Sequence, residues 1–320
     1  MNRISQLPIL VLGLFALVLE STAIDKRKTM GVLLWNEEAR YLTCMDSMMT
    51  QLKQNGFSVK ELDIKAENAL GNKAKAMKIA QDFSAEKRDI YVAIGASALD
   101  AMKNEIKDAP LVFGNVYDPV GSKFVKSLQS SENNITGMAF AIPLLPMMSR
   151  IKTIKPVKNM AVLYTIGQKN SESTLKNLQA IQDKCSITVL PVPVNNKEEA
   201  LSALAFLKGK VDAIYLTGST LISAVVPEIA AQAIHEKLIT VTSQQDFVER
   251  GVLFGGGCDS KEQGQKTAEK ILAVFKGEKP MNIPIDEPKK IEFYINIKTA
   301  KSSSLVIPEQ LKKEATKLIE

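Results

Sequence analysis

The residues best suited to chemistry in this chain are small polar groups placed where apolar runs end. Leu111 to Val116 is an apolar run bounded by Pro110 and Pro119, which suits a strand covered on both faces in a parallel sheet. Tyr117 and Asp118 follow it, and Pro119 forbids its continuation. In open α/β sheets ligands sit outside the carboxyl ends of the strands, so this pair is placed to touch one. Ser97, Asn170-Ser171 and Ser219-Thr220 each stand just after a strand-like run and just before a helical pattern. A hydroxyl or amide there caps the helix and leaves first-turn N–H groups free. Three such helix starts aimed into one cleft favour an anionic group such as a carboxylate. Each of these residues also suits a helix cap and nothing more. Trp35 is the only tryptophan and ends an apolar run beside Asn36-Glu37-Glu38. An indole there serves either as a stacking wall for a ligand or as packing between lobes.

Catalysis is less well provided for. The single histidine, His235, stands late in a helical stretch before Leu238, where it suits a helix C-terminus better than a triad. Metal sites built on two or three histidines are excluded, and no metal or cofactor is implied. There is no GxxxxGK[ST] phosphate loop, and Gly255-Gly256-Gly257 lacks the GxGxxG spacing. No paired carboxylate motif calls for acid-base chemistry. The chain therefore reads as a binding protein rather than an enzyme.

These groups need a scaffold that gathers strand ends. Strands are expected at Met30–Trp35, Val59–Ile64, Ile90–Ile94 and from Leu111, alternating with helices at Tyr41–Asn55, Lys73–Glu86 and from Gly95 through Ile106. A second run of the same kind follows Asn133-Asn134-Ile135-Thr136-Gly137. Its helices fall at Leu145–Ile154, Ser171–Lys184, Lys197–Leu207 and up to Lys237, and its strands at Met160–Tyr164, Ile187–Val192, Ala213–Leu216 and Ile239–Thr242. A last segment offers a strand at Gly251–Gly257, a helix at Lys261–Phe275, a strand at Glu292–Ile297 and a helix from Pro308. Such alternation predicts an α/β protein with two doubly wound parallel sheets. The last segment is too small to stand alone and completes those sheets, so several chain crossings join two lobes around a hinge.

The bulk properties agree. With 320 residues, 45% hydrophobic and 24% charged, the chain is long enough for two ordinary domains and has a globular composition. Its net charge of +6 is spread along the sequence, without the basic block or aromatic-interleaved patch of a nucleic-acid site. Asn2-Arg3, the apolar stretch Ile9–Leu19 and Ser21-Thr22-Ala23 read as a secretory signal peptide cleaved after Ala23. The apolar run is short for a membrane span, and no cysteine lies near the cleavage site to carry a lipid. A freely diffusing exported protein is expected, retained in a periplasm. Three cysteines, Cys44, Cys185 and Cys258, are too few for a disulfide framework. One pair could bridge, or each fills a buried apolar position.

Taken together, several stretches resemble one family. They are Val116-Tyr117-Asp118-Pro119-Val120-Gly121, Asn134-Ile135-Thr136-Gly137, Val162-Leu163-Tyr164 with Asn170-Ser171, and Asp212-Ala213-Ile214-Tyr215, continued by Gly257-Cys258-Asp259, Ile283-Pro284-Ile285 and Ile295-Asn296-Ile297-Lys298-Thr299-Ala300-Lys301, with Ile307-Pro308 after. In this order they resemble the solute-binding proteins of ABC importers whose better known members bind tryptophan and other aromatic amino acids.

The resemblance implies a type I periplasmic-binding fold, two Rossmann-like lobes joined by three crossings near Gly137, Gly251 and Ile283. Residues 24–137 plus 252–282 would form lobe 1, and 138–251 plus 283–320 lobe 2, after a signal peptide at 1–23. It also implies a monomer that closes on a small organic molecule and delivers it to a membrane permease with a cytoplasmic ATPase. The candidate ligand-binding residues, taken from the strand ends and from these stretches, are Trp35, Asn36, Ser97, Tyr117, Asp118, Asn170, Ser171, Ser219, Thr220 and Asp259.

The chain departs from the family pattern at Glu37-Glu38-Ala39, Ala139-Phe140, Ser219-Thr220 and Asp259-Ser260-Lys261, losing acidic groups that would hold an ammonium. An amino acid or an aromatic compound fits the remainder. Alternatives are a ligand-sensing partner of a membrane receptor, or a secreted hydrolase or isomerase using Asp118 or Asp259.

Overall fold

The computed structural model describes residues 27–320 except 59 and 141. The signal-peptide reading lies outside the described residues. The chain opens with strand β1 (Lys28–Leu34), helix α1 (Ala39–Gln54), β2 (Leu62–Asn68), α2 (Lys73–Glu86), β3 (Ile90–Ile94), α3 (Ala96–Glu105), β4 (Leu111–Val116) and β5 (Ile135–Ala139). All five strands pair in parallel in the order β2-β1-β3-β4-β5. The sequence direction reverses between β1 and β3, and ligands of doubly wound sheets sit at such a switch point.

The second half repeats the plan. It contains α4 (Leu144–Ile154), β6 (Asn159–Tyr164), α5 (Lys169–Cys185), β7 (Thr188–Pro193), α6 (Lys197–Leu207), β8 (Ala213–Leu216), α7 (Thr220–Ser223), α8 (Val226–His235), β9 (Ile239–Thr242), α9 (Gln245–Glu249) and β10 (Phe254–Gly257). Then come α10 (Ser260–Phe275), β11 (Glu292–Asn296), α11 (Ile297–Ser302), α12 (Glu309–Glu314) and β12 (Lys317–Ile319). The second sheet runs β12-β11-β10-β9-β8-β6-β7, with β11 antiparallel to β10. Its core, β7-β6-β8-β9-β10, has the same order as the first sheet, so a second switch point lies between β6 and β8.

That correspondence explains a boundary the sequence misplaced. β10 is the fifth strand of the second sheet, paired with β9 and β11, not part of lobe 1 as a break at 252 would have it. The second crossing is therefore at 258–259, rather than near Gly251. After β5 the chain crosses over and α4 packs on β10 and α5, whereas after β10 it crosses back and α10 packs on α1, β4 and β5. Each lobe's fifth strand thus receives its helix from the other stretch of chain. The third crossing, through Ile283 to Asp286, is bonded to lobe 1: Ile285 N–H donates to Leu128 O at 2.7 Å, and Ala139 N–H donates to Asp286 O at 2.8 Å. We propose lobes of 27–139 plus 258–286, and 140–257 plus 287–320.

Packing follows the pattern of apolar residues. On α1, Tyr41, Cys44, Met48 and Leu52 recur every three to four residues and are buried, the spacing of one helix face. Against that face lies α10, at a separation only glycine permits. A Cβ on Gly264 would sit 2.2 Å from Cys44 O and 2.7 Å from Ser47 Cβ. Large side chains such as Phe83, Tyr91 and Phe113 fill the first lobe, and Tyr215, Phe254 and Tyr294 the second.

Smaller differences have local causes. β2 begins at Leu62 instead of Val59, which lies outside the described residues, and runs on through the half-polar Lys65–Asn68 because it is an edge strand. The helix expected up to Lys237 is two helices, α7 and α8, the second opening with Pro227 in its first turn. β12 was not expected, its residues being largely exposed and its length three. All three cysteines are buried and free. Among the described residues, no helix is long and apolar enough to cross a membrane.

Candidate functional site

Trp35 follows β1 directly. Its N–H donates to Ile94 O at 3.1 Å and its C=O accepts from Gly71 N–H at 2.8 Å, so its backbone is fixed between β3 and the turn before α2. The next switch-point segment turns sharply at Gly95, φ +100°, a conformation other residues adopt only with strain. A Cβ there would also meet Trp35 Cβ at 3.1 Å. Ala96 and Ser97 then open α3, and Ser97 lines the cleft. Asn36 is engaged elsewhere. Its side chain accepts from Glu38 N–H at 3.0 Å and donates to Glu38 Oε1 at 2.9 Å, closing an Asx turn.

At the second switch point the hydroxyls mostly brace one another. Ser171 Oγ accepts from Thr165 N–H at 2.9 Å and lies 2.5 Å from Thr217 Oγ1. Thr165 Oγ1 donates to Ser219 Oγ at 2.8 Å, and Ser219 Oγ accepts from Ile222 N–H at 3.0 Å. Ser171 and Ser219 are fully buried, so they hold the ends of β6 and β8 in place rather than face a ligand. Asn170 does border the gap, donating to Gly218 O at 2.7 Å. The helix after Ser219 has only 4 residues, too few to aim a dipole. The expected trio of helix starts reduces to α3 and α5.

Across the gap the two lobes bond directly. Trp35 Nε1–H donates to Thr220 Oγ1 at 2.7 Å. Arg40 Nη1 donates to Asp246 Oδ1 at 3.0 Å and Oδ2 at 3.1 Å, while Nη2 pairs with Glu38. Burial by itself would lower the Arg40 pKa, but Tyr41, Asp246 and Glu38 around it outweigh that and raise it, so the guanidinium stays charged. The Asp118 carboxylate accepts from Ser173 Oγ and, at 2.9 Å, from Asn177 Nδ2 on α5, and from Gly121 N–H at 2.8 Å. Tyr117 is buried edge-on to Phe140, with ring centres 6.2 Å apart. Its OH accepts from Asn177 Nδ2 at 3.3 Å, and burial pushes its pKa up to about 12. Asp118, at φ +43°, and Asn115, at φ +55°, hold left-handed backbone where the chain leaves β4, strain of the kind that gathers at functional sites.

Two chambers lie along this interface. The outer, about 260 Å³, is lined by Trp35, Ala96, Ser97, Asp100 and Asn104 from one lobe and by Thr165 through Lys169 from the other. The inner, about 10 Å³, lies among Arg40, Tyr41, Asn115 and Tyr117 on one side and Phe140, Asn170, Gly218 and Gln244 on the other.

The candidates therefore divide. Trp35, Ser97, Tyr117, Asp118, Asn170 and Thr220 meet at the gap, Ser171 and Ser219 stand behind it, and Asn36 and Asp259 line neither chamber. Asp259 caps α10, accepting from Lys261 N–H at 2.8 Å. Its position after a strand resembled the others, but β10 belongs to the lobe the chain is leaving. Sequence reasoning missed Arg40, Asn115, Gln244 and Asp246. Arg40 and Asp246 are 206 positions apart, and neither stands in a motif.

Two lobes of identical strand order, with polar strand ends facing each other over a cleft, define a type I periplasmic-binding protein. The chain belongs to the ABC transporter substrate binding protein family, whose model matches residues 32–319. It is 26% identical over 285 residues to a tyrosine-binding protein of Clostridioides difficile (strain R20291), spanning 88% of this chain and 83% of that one. Its structure superposes with a conserved domain protein from Vibrio cholerae at a TM-score of 0.86 and 27% identity, over 92% of this chain and 100% of the other. An ABC domain in complex with L-Trp from Streptococcus pneumonia gives a TM-score of 0.86 at 26% identity, over 92% and 100% of the two chains. The protein is a substrate-binding protein, not an enzyme.

Proposed function

We propose that this chain is the exported receptor of an ABC importer, a monomer in the periplasm that closes its lobes on a small organic ligand, an amino acid or aromatic-type compound, and delivers it to a membrane permease driven by a cytoplasmic ATPase. The observation that carries the reading is the set of bonds crossing the cleft at the strand ends, from Trp35, Arg40 and Asp118 to Thr220, Asp246 and Asn177. Such contacts form only when the lobes come together, which is how ligand binding couples to a change of shape. The tyrosine-binding relative and the L-Trp complex support the ligand class. The Asp118 carboxylate is engaged by three donors and is unsuited to the acid-base role the hydrolase alternative needs.

A thermal-shift screen of the chain from Ile24 with amino acids and small aromatics tests this. A ligand at a hundredfold excess over its Kd adds about 2.7 kcal/mol, a rise of several degrees. If no member of the panel moves the melting temperature, the reading is wrong.

A further inference from the structure

Among the described residues that line the two chambers, one carries a carboxylate. It is Asp100, in the second turn of α3, and it lines the outer chamber. The other acids near the gap are committed. Asp118 is held by three donors, and Glu38 and Asp246 both pair with Arg40. Cations are better supplied. Lys73 opens α2 and Lys169 opens α5, and both line the same chamber as Asp100. A helix dipole opposes a lysine at its start and favours an anion there, so each stands where a bound carboxylate relieves the repulsion. Asp100 Oδ1 lies 3.9 Å from Lys169 Nζ across the gap, and the two side chains are 27% and 42% exposed. A pair so open to water holds the lobes only weakly by itself. The chamber, about 260 Å³, has room for a whole aromatic amino acid, and part of its wall is apolar. Trp35 lines it, and Met77 and Ile166, 44% and 58% exposed, line it from opposite lobes. Apolar side chains on both lips of a cleft are placed to be covered by a ring.

We propose that Asp100 is the specificity-determining residue that admits an aromatic ligand as an α-amino acid rather than as a simple carboxylic acid. Its carboxylate takes the ligand's ammonium, Lys169 and Lys73 take the ligand's carboxylate, and the ring lies against Trp35, Met77 and Ile166. A zwitterion laid against Asp100 and Lys169 completes a ring of alternating charge. Because the two residues belong to different lobes, it strengthens a contact that is weak alone and so favours closure. The inference rests on the amino-acid reading of the cleft proposed above, and adds which group tells an amino acid from its deamino counterpart. It also supplies what the departures at Glu37-Glu38-Ala39, Ser219-Thr220 and Asp259-Ser260-Lys261 removed, an acid for the ammonium.

The test titrates L-tryptophan, L-tyrosine and L-phenylalanine, each beside the aryl-propanoate that lacks its amino group, into the unaltered chain, Asp100→Asn, Asp100→Glu and Lys169→Gln by calorimetry. In the unaltered chain the best amino acid binds at least thirtyfold tighter than its deamino counterpart. Asp100→Asn weakens the amino acid at least tenfold and leaves the deamino acid no weaker than before. Asp100→Glu, which keeps the charge, retains at least a tenfold preference for the amino acid. Lys169→Gln weakens both ligands at least fivefold, since both present the carboxylate.

Equal weakening of both ligands in Asp100→Asn marks a contact that merely holds the lobes together and overturns the selecting role, as does an unchanged affinity for the amino acid. A deamino acid bound as tightly as the amino acid by the unaltered chain overturns it too, while leaving the cleft a binding site for aromatic acids. Where the deamino acid is too weak to measure, the loss in Asp100→Asn and its recovery in Asp100→Glu decide. If neither series binds the unaltered chain, the amino-acid reading falls and this inference with it.

Discussion

Replacing Asp246 with alanine should weaken lobe closure while leaving each lobe folded. The carboxylate receives both bonds from Arg40 Nη1, at 3.0 and 3.1 Å, and the side chains of Arg40 and Asp246 are 8% and 14% exposed. An exposed ion pair contributes about 0.2–1 kcal/mol, and breaking a fully buried one costs about 3–5 kcal/mol. Here the guanidinium retains Glu38, and opening returns all three groups to water. The loss therefore falls between those limits, at about 2 kcal/mol, close to the value of a hydrogen bond to a charged group. At 1.4 kcal/mol per decade, that is about a thirtyfold loss of closure and hence of ligand affinity. Calorimetric affinities of Asp246→Ala, Arg40→Met and the double variant form the cycle, with small-angle scattering reporting the opening of the lobes. The two losses should be strongly non-additive. Affinity within twofold of the unaltered chain in Asp246→Ala, or simple addition of the two effects, would refute the cross-lobe pair as a closing contact.

Asp118→Asn keeps the shape of its side chain but weakens the bonds from Ser173, Asn177 and Gly121. Ligand affinity should drop by about 1.5–3 kcal/mol on the scale of charged hydrogen bonds, and an unaltered affinity would count against its bridging role. Gly264→Ala drives a methyl into Cys44 O at 2.2 Å. Because backbone must move, a loss of at least the roughly 1–3 kcal/mol typical of overpacking is expected in denaturant unfolding. Burial pushes the Cys44 thiol up to about 12 and raises those of Cys185 and Cys258. Since the thiolate is the reactive form, iodoacetamide at pH 8 should leave all three unmodified by mass spectrometry until denaturant is added.

Much of the scaffold was legible because strands buried on both faces are continuous apolar runs. β3, α6, β8 and β9 fall at the residues their sequence indicates. The edge elements were harder to place. β2 mixes Lys65 and Glu67 with apolar residues, and β12 is three residues long and mostly exposed, so neither carries a strong period. At the cleft, Asn170 borders the gap from the first turn of the 17-residue α5. A polar residue after a strand does not by itself mark the gap: Asp259 also follows one, yet it caps the 16-residue α10 and lines neither chamber. That sign also could not separate Thr220, which reaches the other lobe, from Ser219, which turns inward to Thr165. Arg40 and Asp246 left no trace because their relation exists only once both lobes are folded and closed.

The account stands on one ligand being held by both lobes at once. The direct measurement is calorimetric titration of the compound found by thermal screening into Ser97→Ala, from the first lobe, and Asn170→Ala, from the second. Affinity should fall in both variants while the unliganded melting temperature stays put. Loss confined to one lobe's variant, with full affinity in the other, would contradict a ligand gripped between them.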